Sequence, residues 1–226
     1  MREAAAIPDY LVDTYWWAYV HPRAVRLFER QWLVNLILWG NFRKLRDAAL
    51  DALGTILAGR TLQVACVYGD FTPRLAERIG ARGTLDVVDV LPIQLANLRA
   101  KLGSEERVSL IHRDAADLGF ADASYDRVVL FFLLHEMPRE VRTKTLAEAL
   151  RVVKPGGRVV IVDYHRPRPW HPLRWPMRWI LGRLEPFAMD LWREPVRAWM
   201  PADASEAIAQ RTYYGGLYQA LVVTRA

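Results

Sequence analysis

His135 and Glu136 stand side by side in LFFLLHEMP, and Asp163, Tyr164 and His165 follow one another in VVIVDYHRP. Each group comes directly after a short apolar run of the kind a buried strand makes. Imidazole nitrogen and carboxylate oxygen brought together at one sheet edge would suit a divalent ion such as manganese. His135, Glu136, Asp163 and His165 are the candidate ligands. His135 could instead be a general base, because an imidazole titrates near neutrality by default, and Glu136 could be a helix cap. Earlier in the chain, Asp89 closes the run LDVVD, Asp114 follows VSLIHR, and Asp70 sits beside Gly69 in VYGDFT. A carboxylate ending a second strand can accept from both hydroxyls of a ribose. Asp114 could accept from an adenine amino group, or cap a helix from Ala115 onward. Asp70 could bind a metal or an amine, or be a first-turn acid favoured by the helix dipole. Cys66 lies within a predicted strand with no base beside it and reads as a buried, inert thiol.

These residues converge only if the apolar runs are strands of one sheet. The pattern predicts strands over Leu62–Val67, Leu85–Val90, Val108–His112, Arg127–Leu133 and Arg158–Val162. Between them it predicts helices over Pro73–Ile79, Pro92–Leu102 and Arg142–Val153, with a turn at Pro155-Gly156-Gly157. Short buried strands alternating with helices imply a mostly parallel sheet covered on both faces. Before the first strand, residues 7–53 read as helices, with Val25, Phe28, Trp32, Leu36 and Trp39 at helical spacing. After the fifth strand comes a Pro-, Arg- and Trp-rich stretch, then two expected strands, Tyr213–Tyr218 and Leu221–Thr224, around Gly215-Gly216. The expected division is an N-terminal helical lid over 1–54 and an α/β domain over 55–226, with an insertion at about 166–200.

A chain of 226 residues is about one decorated domain, long enough to bury a core without staples. A single cysteine excludes an internal disulfide and suits a reducing compartment. The opening MREAAAIPDYLVD has acids and no apolar core, so no secretion signal is expected. No stretch is long and apolar enough to span a bilayer. The net charge of +6 is uneven: residues 151–183 hold eight Lys or Arg and one acid, Asp163. Tryptophan is uneven too, clustered near the start and again from Trp170 to Trp199. In WHPLRWPMRWILGR, rings and cations interleave as they do at a membrane surface, although an internal packing arm has the same composition. No nucleic-acid reader motif accompanies them, so nucleic acid is not the expected partner.

The order of segments resembles the class I S-adenosylmethionine (SAM) dependent methyltransferases from about Leu62 to Arg225. The resemblance is carried by LQVACVYGDFT, by LDVVDV, by HRDAADLGFADASYDRVVLFFLLHEMP, and by LAEALRVVKPGGRVVIVDYH. The last two are similar to text of the quinone methyltransferases. The resemblance implies a Rossmann-like fold with a seven-stranded, mostly parallel sheet. It implies SAM at Gln63, Ala65, Val67, Tyr68, Gly69, Asp89, Val90, Leu91, Asp114, Ala115 and Phe131. The first motif departs from the family: Gln63 stands where an acid is usual, and Ala65 and Val67 stand where glycines are usual. Only Gly69 remains.

A narrower resemblance covers nearly the whole chain. VACVYGDFTPRLA, preceded by YWWAYVHPRAVRLFERQWLVNLILWGNFRKLRDAAL and followed by VVIVDYHRPRPWHPLRW, is similar to the rhodoquinone-biosynthesis methyltransferase-like (RquA) family. In that family the altered loop is part of the pattern. The resemblance implies conversion of ubiquinone to rhodoquinone, an amino group replacing a ring methoxy group, with SAM as amino donor and manganese as cofactor. Such a reaction needs a base for the amine and stabilisation of the quinone oxygen; His135, Tyr68 and Asp70 are the catalytic candidates. Tyr15, Trp16 and Tyr19 could stack on the quinone if the N-terminal helix is a lid, or could simply pack, and His165 could face it. A lipid quinone implies a peripheral enzyme on the cytoplasmic side of the inner membrane, of unspecified oligomeric state. A conventional quinone methyltransferase and a non-catalytic accessory of quinone synthesis are the alternatives.

Overall fold

The computed structural model describes residues 6–15 and 28–226. Among them, seven strands form one sheet: β1 (Leu57–Val64), β2 (Ile79–Asp89), β3 (Val108–His112), β4 (Tyr125–Phe131), β5 (Val153–Tyr164), β6 (Ser205–Tyr213) and β7 (Tyr218–Arg225). Their order is β3-β2-β1-β4-β5-β7-β6. The first five are parallel; β7 runs antiparallel to β5, and β6 antiparallel to β7. The helices bounded within the described residues are, in chain order, α1 (Asp9–Tyr15), α2 (Gln31–Ile37), α3 (Phe42–Leu53), α4 (Phe71–Glu77), α5 (Pro92–Leu102), α6 (Arg139–Val152), α7 (Arg174–Leu184) and the short α8 (Asp190–Arg193).

The central strands are apolar on both faces because both faces are covered. Val128 to Phe131 and Val159 to Val162 are all essentially without solvent exposure. α3 presents Phe42, Leu45, Ala49, Leu50 and Leu53 to this core at helical spacing, so it is a layer of the sheet domain. α1 makes a smaller cluster in which Leu11 and Tyr15 pack with Leu91.

Parallel register sets the functional edge. Val64 lies beside Val88 on one side and Leu130 on the other, Asp89 lies beside His112, and Phe131 beside Val162. The carboxyl ends of β1 to β5 therefore open along one edge. The chain winds outward in both directions from the β1–β4 pair, which makes this the switch point where open α/β sheets bind ligands.

Most boundaries shift by a few residues from the sequence expectation; β5 runs through the expected Pro155-Gly156-Gly157 turn, and two further differences have a clear cause. β1 runs over 57–64 in place of 62–67, because Ala65 turns into the left-handed region at φ +66° and ends the strand. The last pair is 205–213 and 218–225 in place of 213–218 and 221–224, with Tyr214–Gly216 a single helical turn. β6 is an exposed, mostly polar edge strand, so it carries no apolar signal to read, and its register comes from pairing with β7.

Candidate active site

A cavity of about 700 Å³ lies at the carboxyl edge of the sheet. The loop after β1 and the ends of β2 and β4 form its floor; Tyr10 of α1, α2 and the inner face of α7 close over it.

The floor is built from backbone held by side chains. Ala65 keeps the left-handed conformation that a glycine would adopt freely, with its N–H on the Val88 carbonyl at 2.9 Å. The buried Gln63 amide donates to the Ala65 carbonyl at 3.0 Å. Gln63 does not line the cavity, so it braces the loop from behind. Asp89 Oδ2 accepts from Cys66 N–H at 2.7 Å and Oδ1 from Leu91 N–H at 2.8 Å. The Cys66 thiol also donates to this carboxylate, which keeps acceptor capacity for a ligand. Burial pushes the Asp89 carboxyl up to about 6, although the two backbone donors pull the other way. Val67, Tyr68, Val90, Leu91, Ala115 and Phe131 line the same floor, as does Asp114. Asp114 Oδ1 already caps Ala116 N–H at 2.8 Å. Tyr68 accepts from Gln94 at 2.9 Å and stacks on Phe28, 5.9 Å between centroids. Burial pushes its hydroxyl well above the usual range, so it stays protonated. Cys66 lines the floor as a thiol that burial likewise keeps protonated.

Gly69 and Asp70 lie off the cavity. A side chain at Gly69 would strike the Phe42 ring at 2.8 Å, so the surviving glycine is explained by packing on α3. Its N–H donates to Glu29, which also accepts from Lys101 at 2.7 Å and Asn97 at 2.6 Å. Asp70 pairs with Arg46 at 2.6 Å. Burial raises its carboxyl, and the Arg46 guanidinium more than reverses this. Asp70 is thus a structural acid joining α3 to the start of α4, and the structure removes it from the catalytic candidates.

At the far end of the cavity stands His135, only 6 % exposed. Its Nδ1 donates to Asp163 Oδ1 at 2.9 Å, and its Nε2 lies 3.7 Å from Glu136. Burial pushes the imidazole down, but Asp163, with Glu136 and Glu185 behind it, overcomes that and holds it at about 9. His135 is therefore an imidazolium at neutral pH, a proton donor where a base was one expectation. Phe132, at φ +54°, and Tyr164 pack edge-on to its ring.

The expected metal set does not assemble. Asp163 is fully buried behind His135: Oδ2 accepts from Leu134 and His135 N–H, and Oδ1 from the imidazole and Tyr164 N–H. No lone pair remains for an ion. His165 donates from Nδ1 to the Gly216 carbonyl at 2.7 Å and does not line the cavity, which also removes it as a substrate contact. Among the described residues, no three His, Cys, Asp or Glu side chains are grouped to hold a metal. Tyr15 is buried beneath the cavity wall against Leu11, Leu91 and Phe187. Trp16 and Tyr19 lie outside the described residues.

Glu185 was not anticipated. It enters the cavity from the end of α7, buried, with its carboxyl raised by that burial and with the Tyr15 hydroxyl donating toward it. Its Oε2 has no hydrogen-bond partner. The signal was present as an acid set between Leu184 and Pro186 in an otherwise basic, apolar stretch. Arg113, with an unpartnered Nε, also lines the cavity.

Comparison with known proteins agrees with this geometry. Residues 61–157 match a methyltransferase domain. A demethylmenaquinone methyltransferase of Staphylococcus aureus is 33 % identical over 135 residues, which are 60 % of this chain and 55 % of that protein. The chain thus spans about half the length of the curated relatives it matches. An O-methyltransferase family protein from Burkholderia thailandensis superposes with a TM-score of 0.65 at 17 % identity, over 90 % of this chain and 60 % of the other. The N-methyltransferase NodS from Bradyrhizobium japonicum, in complex with S-adenosylhomocysteine, gives 0.56 at 16 % identity, over 81 % and 86 %. The sheet order, the cavity at its carboxyl edge and these neighbours establish the fold as that of the class I SAM-dependent methyltransferases.

Proposed function

We propose that this protein binds SAM at the β1–β2 end of the cavity and uses it to modify the ring of a lipid quinone held against His135. The finer reading is replacement of a ubiquinone methoxy group by an amino group, giving rhodoquinone. The observation that carries it is one apolar cavity joining a cofactor loop rebuilt at Ala65 and Val67 to a buried imidazolium–carboxylate pair.

Asp89 would hold the ribose, Asp114 the adenine amino group, and Val90, Leu91, Ala115 and Phe131 the adenine faces. When bound, SAM supplies the transferred group: its nitrogen in the amination reading, its methyl in the methylation reading. The Val67 side chain stands in the cavity where a glycine would leave room, which favours an altered cofactor pose. His135 Nε2 would donate to the quinone oxygen as it gains charge, the role of an oxyanion-hole donor. In the amination reading Glu185 would hold the proton the amine gives up and return it to the departing methoxy group, so that methanol leaves; freeing the new amino group would further require the nitrogen–carbon bond of the bound SAM to break. The described residues do not fit manganese, and none of these roles needs a metal. The site would work at the cytoplasmic face of the inner membrane.

A second reading, ordinary methylation of a quinone, is favoured by the similarity to a demethylmenaquinone methyltransferase. Both readings need the cofactor. Calorimetry with S-adenosylhomocysteine should show binding to the wild type and, for Asp89→Ala, a loss of about tenfold to a hundredfold, as expected for hydrogen bonds to a charged group. Absence of binding to the folded wild type would overturn both.

A further inference from the structure

α2 reads QWLVNLI, apolar nearly all the way round, yet none of its residues is buried. A helix of that composition is normally enclosed. Trp32 and Leu36, one turn apart, are 60 % and 63 % exposed. α7 faces two ways. Met177 and Leu181 point inward, nearly dry, while Trp175 and Trp179, on the opposite side of the helix, are 71 % and 72 % exposed. The two helices belong to one structure: the Trp39 indole N–H donates to the Met177 sulfur at 3.2 Å, joining the turn after α2 to the inner face of α7. Leu36, Ile37, Trp39 and Leu184 both line the cavity and stand at least two-fifths exposed, so they mark its mouth.

We propose that α2 and α7 are the two lips of a bilayer-docking face, and that the cavity opens between them into the apolar layer of an anionic membrane. Several observations on the molecule commit the face to lipid. The exposed rings are tryptophans, which settle at the headgroup level. They are interleaved with cations: α7 carries Arg174, Arg178 and Arg183 and no acid, and Arg178 lies over the Trp175 ring at 5.7 Å. Among the described residues no helix is long and apolar enough to cross a membrane, so attachment through this face is interfacial. The proposal deepens the quinone reading and rests on it only for the identity of the lipid that enters. A ring with a long apolar tail could reach His135 with its tail still in the bilayer.

The test is sedimentation of the full-length protein with vesicles of phosphatidylcholine alone or with phosphatidylglycerol added. The variants are Trp32→Glu and the pair Trp175→Glu/Trp179→Glu, none of which lines the cavity. Wild type should bind the anionic vesicles, more weakly as salt rises. Each variant should lose at least tenfold in vesicle binding while binding S-adenosylhomocysteine and turning over a short-tailed quinone like the wild type. Vesicle binding without any quinone turnover would leave the docking face standing and sink the quinone reading. Failure of the wild type to bind, or variants that bind equally well, would overturn the docking face. So would a wild-type dimer in sedimentation equilibrium that both variants abolish, since a second copy would then be what covers the rings.

Discussion

An alanine at φ +66° carries a standing conformational cost of about 1–2 kcal/mol, which the surrounding contacts must hold in place. Ala65→Gly should therefore stabilise the protein by about 1 kcal/mol after the glycine's greater unfolded-state entropy is subtracted, and so raise the urea midpoint. A midpoint that falls would mean the alanine methyl is needed for packing. Two other residues write their environment into pH. Asp89, raised to about 6, should accept ribose hydroxyls less well as pH falls through that value, so S-adenosylhomocysteine affinity should drop there in calorimetric titrations. An affinity flat through that range would remove Asp89 from the ribose contact. His135 is raised in the folded state from 6.5 to about 9, so its contribution to stability is fully present below 6.5 and is lost as pH rises through 9. Denaturation of wild type against His135→Gln on either side of that window should show the difference shrinking at high pH; a constant difference would contradict the imidazolium–Asp163 pair.

At the scale of elements, the His135 turn is held by α6. The Arg142 side chain is fully buried; it donates to the carbonyls of Leu134, Met137 and Phe187 and lies 4.3 Å over the Trp199 ring. It thereby clamps the insertion to the turn that carries the imidazole. Arg142→Met would remove three hydrogen bonds to carbonyls, leaving that of Met137 without this donor and Asp190 without its cation, and should cost about 3 kcal/mol or more. Hydrogen exchange should accelerate over 186–199 first; uniform exchange would mean the clamp is not local. The elements divide sharply in how far the sequence reveals them. α5 and β3 fall where periodicity puts them, over 92–102 and 108–112, because each has a clear start, a clear stop and one apolar pattern. The end of β1 was hidden because the left-handed turn is made by Ala65, a residue type that gives no turn signal. β6 was hidden because a polar edge strand shows no pattern apart from its partner.

At the scale of the molecule, the sheet brings Asp89, Asp114 and His135 to one cavity, and these were legible because each stands at or within a few residues of a strand's carboxyl end. The ligand set was not, because sequence shows which edge a side chain reaches and not what already bonds it. Asp163 is consumed by His135 and three backbone N–H groups, and His165 turns to Gly216. Glu185 arrives from a separate element, and only its packing brings it there. The central claim is that this cavity joins SAM to a quinone for amino transfer. Mass spectrometry of a short-tailed ubiquinone, incubated with the protein and SAM carrying nitrogen-15 in the amine and carbon-13 in the methyl, tests it most directly. Product that has lost methoxy and gained nitrogen-15 is the predicted result; product carrying carbon-13, or an unaltered quinone from folded, SAM-binding protein, would contradict it.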